Sequence, residues 1–164
     1  MASTHKKVIV RKMDRDSVQG YVAVEGFLAG NKVELLNTAG NVVLVDLSEI
    51  KGVYYVREFA DSNSLPRKTF TTRPRVEGLW VSLRFRDGEN LEGLMPNDLT
   101  QVRAEGFFLN PPDTRGNVQR IFVPRLAVSE LMVLAVIGSA AKRRRQADID
   151  HQTPLLFTEL PGGS

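Results

Sequence analysis

The residues that could do chemistry are few and poorly supported. The 164-residue chain has two histidines, His5 and His151, one near each end, and no cysteine. A catalytic or metal-binding histidine needs a rigid surround to fix its geometry. Tails do not offer one, so both histidines are expected to be solvated. Without cysteine there are no thiolate nucleophiles, disulfides or thiolate zinc sites. Asp87, Glu89 and Glu92 crowd one short stretch. Paired carboxylates can share acid–base work when burial raises the pKa of one. Asp87-Gly88 reads as a hairpin turn, however, which leaves these groups as ordinary solvated charges. No Gly-rich strand-to-helix junction offers a phosphate cradle. The chain is therefore expected not to be an enzyme, with no catalytic, cofactor-binding or metal-binding residues.

Binding chemistry is better represented. Arg67, Lys68, Arg73 and Arg75 surround Phe70, and Arg84 and Arg86 alternate along the next strand. Cations contact phosphates and an aromatic ring stacks on a base, so this set is a candidate site for single-stranded RNA. The competing expectation is a surface strap with Phe70 plugged into a groove and its arginines solvated. Arg57 and Trp80 flank the same segment. Further on, Lys142, Arg143, Arg144 and Arg145 form a basic block. Such a block can meet nucleic acid or the anionic surface of a membrane, or serve only as a soluble extension. Leu155, Leu156 and Phe157 could dock on another protein or cover a sheet edge.

Composition sets the frame for these sites. Hydrophobic content of 42% and charged content of 25% are those of a globular protein. The net charge is only +3. Residues 57–86 contribute seven basic and three acidic side chains, and the block at 142–145 adds four more positive charges. The basic character is local. The longest uncharged apolar run, 131–141, is too short to span a bilayer as a helix. No signal-like apolar core follows the N-terminal lysines, so a cytoplasmic location is expected.

The elements that must position these groups are short strands. Residues 6–12, 18–29, 32–36, 42–47 and 53–59 have the composition and turn punctuation of strands, with a single 3₁₀ turn at 48–50. The polar stretch 60–78, with two prolines, is a connector. The second half repeats the plan, with strands at 80–86, 91–95 and 106–110, a one-turn helix from Asn97 to Val102, and a strand–turn–strand at 120–134. An offset of 73 sets Val10 on Leu83, Asp14 on Asp87 and Gly20 on Gly93. An offset of 78 sets Val45 on Val123, Ile50 on Val128 and Val53 on Leu131. Two matches in the same order, separated by a lengthened loop, read as an internal duplication.

The stretches Arg86-Asp-Gly-x-x-Leu-Glu-Gly93, 121–131 and 45–53 resemble the Sm-like branch of small SH3-like barrels, over residues 6–138. The whole is similar to an uncharacterised bacterial family with two such units in tandem. Arg11-x₃-Arg15 also matches one element of PilZ cyclic-dinucleotide domains, but the nearest second element has Arg15 in its acidic slot. The Sm-like resemblance implies an all-β fold of two tandem five-stranded barrels packed together. These would comprise residues 6–59 and 79–138, with a basic linker at 60–78 and an extended tail at 139–164. Families of this kind include RNA binders and protein-binding or regulatory barrels. The expected function is a non-enzymatic module, a protein–protein adaptor or accessory subunit of a larger complex. The alternative is RNA binding through the linker and the basic block.

Overall fold

The computed structural model describes residues 4–59, 67–113 and 115–138. The strands are β1 (His5–Lys12), β2 (Ser17–Ala23), β3 (Leu28–Ala29), β4 (Lys32–Asn37), β5 (Val42–Asp46) and β6 (Ile50–Val56) in the first half. The second half holds β7 (Gly78–Phe85), β8 (Asn90–Met95), β9 (Gly106–Leu109), β10 (Val118–Pro124) and β11 (Val128–Ile137). Among the described residues the only helical pieces are three single 3₁₀ turns, at Leu47–Glu49, Leu99–Gln101 and Arg125–Ala127. The protein is all-β, as its β-branched runs require.

The strands form two sheets. One runs β3-β4-β2-β1-β6-β10-β9, with β5 on the other side of β4, and the second runs β11-β7-β8. Among the described residues neither sheet closes on itself. A lone antiparallel bridge, Leu94 to Asn110, links β8 to the end of β9. The large sheet crosses from one half to the other at β6–β10, so the halves share a sheet rather than merely a packed surface.

The duplication seen in the sequence is repeated in the pairing. Val10 pairs with Val18 on β1–β2, and Leu83 with Leu91 on β7–β8, each member displaced by 73. Val10 also pairs with Val53, and Leu83 with Leu131. Val33 pairs with Val45 and Phe107 with Val123. Even the lone Leu94–Asn110 bridge matches Tyr21–Leu36. Both first hairpins close with the same bonds: Lys12 N–H donates to the Asp16 carbonyl at 2.8 Å, and Phe85 N–H to that of Glu89 at 2.8 Å. In both, the Asp side chain accepts from the backbone two residues on, Asp14 from Asp16 and Asp87 from Glu89. Gly20 and Gly93 hold matching places for a steric reason. A Cβ at either would lie 2.5 or 2.8 Å from a backbone carbonyl of the crossing strand. Only glycine permits that approach.

Several boundaries differ from the sequence-based expectation. The second strand does not run from 18 to 29. It stops at Ala23, and Gly26 at φ +73° turns the chain before β3. β6 begins at Ile50, three residues early, because the 3₁₀ turn before it starts at Leu47, where Asp46 caps it through the Ser48 N–H. Asp98, not Asn97, caps the turn at Leu99–Gln101.

The core has two lobes that trade side chains across the junction. The first is built on Val8, Val10, Val33, Leu35, Ile50 and Val53, and it takes in Phe122 from β10. The second is built on Val81, Leu83, Phe85, Leu109 and Val123, and it takes in Ile9 and Tyr54 from β1 and β6. Phe122 meets Phe27 at 5.1 Å and Phe108 at 5.2 Å, both edge to face. The Arg120 guanidinium lies over Phe108 at 4.2 Å and Tyr55 at 4.6 Å.

Candidate functional site

A cleft of about 640 Å³ lies where the two halves meet. Three local structures build it. The end of β1 and the turn after it bring Arg11, Lys12 and Arg15; β6 brings Lys51 and Tyr54; the turn between β7 and β8 brings Asp87 and Glu89. Lys68, from the connecting segment, completes the wall.

Lys51 is the centre of this site. It is buried, an uncommon state for lysine, and is held by charge. Its Nζ donates to Asp87 Oδ2 at 2.7 Å and to Glu89 Oε2, and lies 4.9 Å from the centre of the Phe85 ring. Lys68 Nζ reaches the other oxygen of Glu89 at 2.9 Å. Burial pushes the Asp87 and Glu89 carboxyls up, but their bonds to Lys51, and to Lys68 for Glu89, outweigh it. The net effect holds both below the usual carboxylate range. They stay ionised at neutral pH and serve as anchors for Lys51; they are not poised as proton donors. The Tyr54 hydroxyl is pushed up to about 12, chiefly by burial. Arg11 stacks over its ring at 5.0 Å. The cleft thus joins five cationic side chains to two carboxylates, and its chemistry favours an anionic ligand or partner. Among the described residues no group of three or more His, Asp or Glu side chains is placed to hold a metal ion.

The carboxylates at 87–92 are not simply solvated, in contrast to the sequence-based expectation. Asp87 and Glu89 pin a lysine from the other half. Glu92 accepts a bond from Trp80 Nε1 at 2.8 Å. Lys51 was not legible as a site residue, since it falls between the expected 3₁₀ turn at 48–50 and the expected strand at 53–59 and carries no motif; the repeat places Ser129 at the matching position.

The connecting segment is brought against β7 and β8. The Lys68 carbonyl accepts from Glu92 N–H at 2.7 Å. Phe70 is half-buried and meets Trp80 edge to face at 5.9 Å. Arg67, Arg73 and Arg75 are exposed, as are Arg84 and Arg86. Arg84 Nε donates to Asn90 Oδ1 at 3.4 Å. Of the six basic residues singled out here, only Lys68 borders the cleft. Arg57 lies elsewhere, its N–H and Nε bonded to the carbonyls of Asn117 and Gly116. Asn117 also exchanges two bonds of 2.9 Å with the Glu58 backbone. The loop that is longer in the second half therefore clamps the end of the first. Lys142, Arg143, Arg144, Arg145, Leu155, Leu156 and Phe157 lie outside the described residues.

A model for a family of unknown function, DUF6982, matches residues 4–135. The chain belongs to that family. The match spans both halves and the junction between them. No curated protein and no solved structure matches the chain.

Proposed function

We propose that this member of the DUF6982 family is a non-enzymatic binding module. In this reading two Sm-like barrel repeats form a protein–protein adaptor or accessory subunit that engages partners through strand edges. The observation that carries the reading is the state of β11. Residues Leu131 to Leu134 are apolar, consecutive and exposed, on a strand with a single partner strand among the described residues. An open edge of this kind is a template for an added strand, because its unpaired backbone groups and apolar side chains are both available. Two further facts support a binding role over a catalytic one. The acidic groups of the cleft are tied up as ion pairs, and β6 and β10 are spent on joining the two halves in one sheet. Among the described residues no helix is long and apolar enough to cross a membrane.

The test is affinity purification from native lysate, with and without ribonuclease, using the unmodified chain and a Val133→Lys variant. A defined protein that survives ribonuclease and is lost with the variant supports the adaptor. Recovery of no protein through the β11 edge overturns it.

The cleft supports a second reading, RNA binding by the basic surface. Arg11, Lys12, Arg15 and Lys68 line its wall, and exposed Arg67, Arg73 and Arg75 follow along the connecting segment. Binding of this kind weakens steeply with salt because phosphate contacts release counterions. Replacing Arg73 and Arg75 should weaken it for all sequences alike. Phe70 would contribute stacking only by leaving Trp80. Binding that does not respond to salt counts against this reading.

A further inference from the structure

The junction between the halves has a register, and the internal repeat carries that register to two strands whose outer edges are open. At the junction β6 pairs antiparallel with β10: Val53 with Phe122, Tyr54 with Ile121 and Tyr55 with Arg120. The strand that repeats β6 is β11, and the strand that β10 repeats is β5. An offset of 78 converts Val53, Tyr54 and Tyr55 into Leu131, Met132 and Val133. The same offset, subtracted, converts Phe122, Ile121 and Arg120 into Leu44, Val43 and Val42. Among the described residues β11 pairs only with β7, and β5 only with β4. Each half thus shows one used and one unused copy of the same joint.

The unused copies have the composition of a joint. Among the described residues, seven of the twelve large apolar side chains left exposed lie on these two strands: Val42 and Leu44 on β5, and Leu131, Met132, Val133, Leu134 and Val136 on β11. Natural sheet edges are usually guarded by lysine, proline or a bulge that turns them away. Residues 42–45 and 131–137 contain neither a charge nor a proline; the register of β11 on β7 shifts between Val128 and Glu130 and again between Val133 and Ala135, and Leu131–Val133 lie in regular register between those shifts.

We infer that a second copy of this chain occupies the edge, β11 of one molecule pairing antiparallel with β5 of the next. The register is Leu131 opposite Leu44, Met132 opposite Val43 and Val133 opposite Val42. The inference rests on the binding-module reading and names the partner of its open edge. The contact is head to tail, so every molecule added presents a fresh β11 at one end and a fresh β5 at the other. Whether the series closes into a ring or extends as a filament depends on the rotation at each step. The internal and external joints alternate, so the assembly continues one sheet-pairing rule through covalent and non-covalent steps.

The absence of native cysteine makes the test clean. Residues directly opposite in an antiparallel pair lie within disulfide range. In the full chain, a Val42→Cys, Val133→Cys double variant should oxidise to a ladder of covalent multimers with the 42–133 linkage between molecules. The purified unmodified chain should sediment as a multimer. Val133→Lys, at an exposed position, should keep its folded spectrum and sediment as a monomer. Adding Val42→Glu to that variant should restore the multimer, because each lysine then faces a glutamate of the next molecule. A monomeric unmodified chain overturns the inference, and so does a 42–133 linkage that closes within one molecule. A Val133→Cys, Leu156→Cys variant that links within a monomer also overturns it, by placing the chain's own tail on the edge. These outcomes are read on purified protein. They are separate from the lysate experiment: a monomer that still holds a partner through β11 removes self-assembly and keeps the binding module. A multimer that retrieves nothing else does the reverse.

Discussion

β6 and β11 occupy the same place in the repeat and have opposite fates. Every residue of β6 is buried, whereas β11 is exposed along most of its length. Both are apolar, and both pair with the first strand of their own half in the same register. The difference is one neighbour. β6 has β10 on its second edge and side chains of two core lobes around it; among the described residues β11 has no second partner strand, and only its first residue, Val128, packs against a core lobe. Strand hydrophobicity therefore does not by itself report burial here. It reports the capacity to be covered, which one half realises within the chain and the other leaves open.

The largest break in this comparison is at Phe122. Its ring belongs to the second half by sequence and to the first by packing. Phe122→Ala should cost about 3–5 kcal/mol, the usual cost of emptying a core aromatic site. The loss should appear as one cooperative shift in denaturant midpoint, because the site lies on the shared sheet. At the matching position, Leu44 is 54% exposed. Leu44→Ala should change the unfolding of the isolated chain by no more than about 0.5 kcal/mol. Equal costs at the two positions would mean that the joints do not differ in cover.

A second contrast is readable by pH. Tyr54 of β6 is repeated by Met132 of β11, and only the tyrosine titrates. Its pKa is raised from 10.0 to about 12, first by burial, with Asp87 and Glu89 adding to the rise and Arg11 opposing it. The folded state keeps its proton longer than the unfolded chain does. The resulting stabilisation is complete below pH 10 and is lost as pH climbs from 10 to 12. Two units correspond to about 2–3 kcal/mol. Tyr54→Phe should flatten the alkaline decline in stability, measured by denaturant unfolding at stepped pH. Some slope should persist, since burial also raises Tyr55. An unchanged alkaline profile would place the Tyr54 hydroxyl in water.

The sequence made the repeat legible because its signals are local. Asp-Gly at 87–88, Asn and Gly at 37–41, and valine-rich runs each encode a turn or a strand without help from distant residues. Matching offsets then ordered them. What it could not show was the crossover at β6–β10. Val53 and Phe122 are far apart in the chain, and an apolar strand looks alike whether its second edge is filled or open. The candidate site shared that fate. Lys51, Asp87 and Glu89 come together only because β6 reaches the second half. Asp87 was visible as a turn residue, but its bond to a buried lysine was not. The strap was half legible: Phe70 does face an aromatic, Trp80, but the sequence left open whether it would meet protein or a base.

The finest contrast lies in the two hairpin turns that border the cleft. They share backbone bonds and a capping aspartate, yet the position with positive φ is Gly88 in one and Arg15 in the other. Glycine adopts that conformation freely, whereas a residue with a Cβ is strained by about 1–2 kcal/mol. Arg15→Gly removes the strain but loosens the unfolded chain, which returns about 0.4–1 kcal/mol. The net gain should be about 0.5 kcal/mol in denaturant unfolding. The same change should cost the cleft a cation that helps hold Asp87 below the usual carboxylate range. If the cleft binds anions, the variant should be slightly more stable and a weaker binder. A turn kept strained for its charge would behave in that way; one in which Arg15 only fills space would gain stability and lose no binding.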